Sequence, residues 1–284
     1  MNIGGVSFEH VWAFQIKCMM SNQYSTLIRA LTENKKELVL AACLRLGWND
    51  AFRHVSENND DETIIQNYNA YFATAHKENK KISDDTKNKI IFEICEKLVQ
   101  YFEEYAKQAD TVSRHAYIIE LLDKSKTPQF VPLLGIIKKT EKCDRALCFG
   151  HIQKMFNIAM KVLLCLVISY EEAVTHGYEV ILKKDNGTLS YLTKDALLSY
   201  EKFKDFSFYT ADCPIDSYVL KAIDSQANDP QTSVNHPRYS DVVWSKFGTQ
   251  EDSQNYINIQ EEIKNIQSGS GKSNLCFDLE NWNS

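Results

Sequence analysis

The sequence predicts a mainly α protein: a two-lobed helical domain with a small β-hairpin inserted in the second lobe. Three observations carry that reading. Glycine (10) and proline (5) are scarce for 284 residues, which disfavours turn-rich sandwiches and propellers. Apolar residues recur at three- and four-residue spacing along most of the chain. Only residues 178–192 change to a strand-like period, and they do so around an Asn-Gly turn signal. The lobes divide near residue 125, into 1–125 and 126–284.

In the first lobe, Leu38, Val39, Ala42, Cys43 and Leu46 form one apolar helical stripe. Ile90, Ile91, Ile94, Leu98, Tyr101, Phe102 and Tyr105 form another, behind a Ser83-Asp84-Asp85 N-cap. Ser56 to Glu62 reads as an acidic loop, and Ser113 to Leu122 as a helix stopped before Pro128. In the second lobe, residues 146–169 form a strongly apolar helix. Tyr178 to Leu182 and Thr188 to Leu192 flank Asp185-Asn186-Gly187 as hairpin strands. Helices follow at Lys194 to Phe203, after Cys213-Pro214-Ile215-Asp216, and near Asp252 to Gln267, before a Gly/Ser tail segment and an apolar end, Leu275 to Trp282.

Composition excludes several classes. A content of 44% hydrophobic and 25% charged residues is that of a folded globular chain, not a disordered one. The net charge of −6 means that any nucleic-acid role needs a local basic surface. The first fourteen residues lack the basic start and unbroken apolar core of a secretory signal. The apolar run Ile158 to Ser169 is shorter than the ~20 residues of a membrane span. Eight scattered cysteines then read as buried free thiols in a reducing, cytoplasmic setting.

The familiar metal and nucleotide motifs are incomplete. Gly269-Ser270-Gly271-Lys272-Ser273 lacks the first glycine of a phosphate loop, since Ile266 occupies that place, and reads as a flexible tail. Cys143, Cys148 and His151 have metal-ligand chemistry but no fourth partner nearby, so the cysteines read as core thiols and not as a zinc site. No nucleophile-elbow serine or HExxH pair is present.

The apolar helix beginning near Cys148 is more informative. At 100° per residue, Gly150, Lys154, Asn157 and Lys161 share one narrow face, with His151 at its edge. Every other face is apolar, so the stripe must meet a cleft, a cavity or partner charges. A desolvated amine loses its proton more readily, which makes a lysine nucleophilic. The alternative is that both lysines reach one solvent edge. Around this helix, Lys124 to Lys161 carries a net +6, a basic island able to hold phosphates. Further on, Pro214 sets an extended entry and Asp216 stands at a helix N-cap, where helix-end amides favour the carboxylate.

A lysine opening an apolar helix, with Pro214-Ile215-Asp216 capping a later one, resembles the helix-hairpin-helix DNA glycosylases, above all the 8-oxoguanine glycosylase fold. The resemblance covers residues 130–225. It departs from the family in two places. Leu147-Cys148-Phe149-Gly150 stands where the family has a two-glycine hairpin, and 62 positions separate Lys154 from Asp216 where the family has about one helix. The resemblance implies base excision from DNA without metal or organic cofactor, with Lys154 as the imine-forming nucleophile and Asp216 as its activating carboxylate. On that reading Phe149, Gly150, His151, Asn157 and Lys161 line the substrate cleft, and Lys138, Lys139, Lys142 and Arg145 contact phosphates. Two rivals remain: a helical module for a protein partner, and an RNA- or nucleotide-binding protein using the same basic island.

Overall fold

A computed structural model describes residues 24–33, 35–56, 61–72, 83–136, 149–177, 180–183, 189–192, 198–227, 250–267 and 270–281. It also describes Ser7, Glu9–Val11, Phe14, Tyr239–Val242, Trp244 and Phe247. The protein is mainly α. The first half contributes α1 (Tyr24–Glu33), α2 (Lys36–Ser56), α3 (Asp61–Phe72), α4 (Asp84–Lys107), α5 (Thr111–Leu122) and α6 (Phe130–Gly135). The second contributes α7 (Phe149–Thr175), α8 (Ser217–Ala227), α9 (Gln250–Ile266) and α10 (Asn274–Asn281). Between α7 and α8, Val180–Lys183 and Leu189–Leu192 pair antiparallel, with Val180 opposite Leu192 and Lys183 opposite Leu189. The Asp185-Asn186-Gly187 turn lies outside the described residues.

Local chemistry explains where helices begin. Ser83 accepts from the Thr86 amide at 3.2 Å, and Asp110 from the Ser113 amide at 2.7 Å, each satisfying an orphan N–H. Asp110 is held below the usual carboxylate range by those Ser113 hydrogen bonds. The helix expected over Lys194 to Phe203 is, among the described residues, a 3-10 turn at Tyr200–Phe203, since the Tyr200 amide donates to Glu171 on α7 instead. The Gly/Ser segment expected to be a flexible tail is ordered at its end. Gly271 turns with φ +66°, Lys272 pairs with Glu280, and Ser273 is buried before α10.

Helix α7 is the axis of the fold. It packs against α2 and α5, α2 also packs on α4, α9 packs on α5, and α8, α9 and α10 pack on one another. The apolar core is one continuous cluster drawn from both halves of the chain. By length and composition α7 matches a membrane span, contrary to the shorter run read from sequence, yet 89% of its most apolar window is buried within the fold. Cys43, Cys95, Cys165, Cys213 and Cys276 are buried. Burial pushes the Cys95 thiol up to about 12, against the opposing charge of Arg45, so it stays protonated and inert.

Candidate active site

The site begins with a close helix crossing. A Cβ on Gly47 of α2 would fall far inside the 3.0 Å that real Cβ contacts respect, against the Met155 carbonyl of α7. Glycine therefore lets the two backbones touch. Asp50, three residues on and on the same helical face, is brought against Lys154, the neighbour of Met155. The Lys154 ammonium lies 2.9 Å from the Asp50 carboxylate, and its side chain is 8% exposed against 40% for Asp50.

The second carboxylate arrives from the extended segment 211–216. Gln153 holds it like a rung of sheet: its amide donates to the Ile215 carbonyl at 3.1 Å and accepts from the Ile215 amide at 3.2 Å. Gln260 of α9 does the same for Cys213, at 2.6 and 3.0 Å. Asp216 then caps α8 through one oxygen, which accepts from the Tyr218 and Val219 amides at 2.9 and 3.1 Å. Its other oxygen stands 3.5 Å from Lys154 Nζ. The cluster thus holds one ammonium between two carboxylates. Aromatic rings roof it: Trp244 lies 4.7 Å from Nζ and edge-on to His151, which stacks on Phe52 at 5.5 Å.

The structure brings Lys154 and Asp216 together, with His151 beside them, and places the other expected cleft residues elsewhere. Phe149 is fully buried, packed edge-to-face on Tyr256 and tilted on His115, so it has no free face for a base. Gly150 is buried, and its amide donates to Phe247 at 3.2 Å, tying the Trp244 segment to the start of α7. Asn157 is locked in a buried network: it accepts from Tyr105 at 2.6 Å and donates to Tyr256 at 2.9 Å. Tyr256 in turn donates to Asp212, which pairs with the fully buried Arg114 at 3.2 Å. Lys161 is buried against Asp278 of α10 under the Phe14 ring. Burial alone would pull the Lys161 ammonium down, but the Asp278 charge more than offsets it and raises it. The polar stripe therefore meets partner charges and amides along most of its length, and a half-exposed carboxylate only at Lys154.

Lys138, Lys139, Lys142 and Arg145, expected to contact phosphates, lie outside the described residues, as do Cys143 and Cys148. Two positive charges of the basic island, Lys154 and Lys161, are internally paired and add nothing to a surface field. No group of three metal-ligating side chains occurs among the described residues.

Sequence reasoning missed Asp50, Trp244 and Phe52. One signal for Asp50 was present. A glycine inside a helix costs about 1 kcal/mol relative to alanine, so Gly47 marks a close packing contact. Trp244 has no comparable signal. No family model, curated protein or solved structure matches this chain.

Proposed function

We propose that this protein is a DNA glycosylase, which flips a damaged or modified base from the stack and cleaves its N-glycosidic bond with Lys154 as nucleophile. The observation that carries the reading is the Lys154 ammonium, 8% exposed, 3.5 Å from the helix-capping Asp216. In this reading the Lys154 amine attacks the sugar C1′, the base leaves with the bonding electrons, and ring opening gives an imine. Asp216, fixed by two backbone amides, stabilises the positive charge that develops on the sugar. Trp244 and His151 border the base. The chain contributes two lobes, 1–125 and 126–284, to one shared core, and the paired strands Val180–Lys183 and Leu189–Leu192 are an excursion between the Lys154 and Asp216 helices. Lys138, Lys139, Lys142 and Arg145 hold the phosphate backbone, and the enzyme works in the reducing cytoplasm without metal or organic cofactor.

Borohydride trapping on duplexes carrying single oxidised, alkylated or deaminated bases, or an abasic site, tests this. A covalent protein–DNA adduct supports the proposal. Base release without an adduct assigns attack to water. Absence of both, together with no nucleic-acid binding at low salt, assigns the chain to protein interaction instead, and binding without chemistry makes it a nucleic-acid or nucleotide carrier.

A further inference from the structure

The lysine of the proposed reaction must shed a proton before it can attack, and Asp216 is poorly placed to receive one. One Asp216 oxygen already accepts from two backbone amides, and its side chain is 20% exposed. Asp50 differs in its place in the fold, its exposure and its distance from the amine. It lies in the middle of α2, not at a cap, its side chain is twice as exposed, and its oxygen is nearer, 2.9 Å against 3.5 Å. Heavy-atom contact at hydrogen-bond distance is the geometric requirement for a general base. Gly47 maintains that contact by admitting α7 against α2.

We infer that Asp50 is a further catalytic residue, the carboxylate that shuttles the Lys154 protons in lysine-imine glycosylase chemistry. This rests on the reading of the preceding section. The Lys154 ammonium gives one proton to Asp50 and becomes an amine. Its lone pair forms the N–C1′ bond as the C1′–base bond breaks, and that electron pair leaves on the base nitrogen. Protonated Asp50 returns the proton to that nitrogen, releasing a neutral base. As a carboxylate again, Asp50 takes the second proton from the C1′-bound nitrogen. The nitrogen lone pair then opens the sugar ring to a protonated imine, and the ring oxygen receives that proton. The two carboxylates thus play separate roles, the pinned one stabilising charge and the half-exposed one moving protons.

The test measures borohydride-trapping rates on an abasic-site duplex from pH 6 to 9 for wild type, Asp50→Asn and Asp50→Glu, with duplex affinity and melting temperature alongside. General acid–base catalysis contributes on the order of 100-fold or more, so Asp50→Asn should trap about 100-fold more slowly at pH 7. Its rate should climb with pH as hydroxide replaces the missing acceptor, while affinity stays within a few-fold. Asp50→Glu, which keeps a carboxylate, should retain the wild-type pH profile at reduced rate. A wild type that traps, beside an Asp50→Asn variant that traps equally fast or is slowed by the same factor at every pH, overturns the assignment of Asp50 alone. A wild type that forms no adduct overturns the imine reading, and this inference with it. Should Asp50→Asn fail to fold, an Asp50→Glu variant that folds and loses the wild-type pH profile also overturns the assignment.

Discussion

Gly47→Ala probes the geometry on which the site depends. The new methyl group would fall far inside 3.0 Å of the Met155 carbonyl, and that neighbour is backbone, which cannot rotate away. Helices α2 and α7 must therefore part by on the order of 1 Å, because packed interiors have no slack to absorb the group. Overpacking of this kind costs roughly 1–3 kcal/mol. Alanine returns about 1 kcal/mol of helix propensity, leaving a net loss of up to about 2 kcal/mol. For a chain of this size that lowers Tm by up to roughly 8 °C, read by differential scanning calorimetry. The larger effect should be functional. If the displacement falls on the 2.9 Å contact between Asp50 and Lys154, the hydrogen bond is lost. A 1 Å misplacement near the chemistry lowers rates by on the order of 100-fold. A Gly47→Ala protein with unchanged Tm and unchanged adduct formation would refute both the close crossing and its role in the site.

Three further outcomes are expected. Removing one partner of the buried Lys161–Asp278 pair should cost about 3–5 kcal/mol in urea unfolding, whereas Lys161→Met with Asp278→Leu should recover most of it; equal losses in single and double variants would contradict the pairing. His115 is pulled below its ordinary value by burial, opposed by its contact with Ser253, so its stabilising contribution is present above pH 6.5 and is lost as pH falls through the lowered folded value. Urea midpoints measured from pH 7.5 down to pH 5 should fall less for His115→Gln than for wild type. Reversing Lys138, Lys139 and Lys142 together should weaken binding to all DNA sequences alike and flatten its salt dependence, as filter binding across salt would show.

What was legible in the sequence is what is local. Ser83 and Asp216 cap helices because a short oxygen side chain before an apolar stripe needs only its next three amides. The polar face of α7 was legible too, but a periodic pattern does not say what covers a face. Asn157 and Lys161 are covered by Tyr256 of α9 and Asp278 of α10, about 100 residues further along the chain. The segment supplying Asp278 follows residues that read as a tail, so its partnership with Lys161 had no local mark. Asp50 meets Lys154 through a crossing of two helices joined by more than ninety residues, and only Gly47 hinted at it. The basic island was counted as charge along the sequence, yet two of its lysines turn inward and are neutralised there.

The central claim is that Lys154 is the attacking nucleophile, and peptide mapping of the borohydride-trapped complex tests it most directly. Digestion and mass spectrometry should find the sugar remnant on Lys154 Nζ. Lys154→Gln should form no adduct while binding the duplex within a few-fold of wild type, because it removes the nucleophile and no surface contact. A remnant on any other amine, or a Lys154→Gln protein that still traps, would contradict the account.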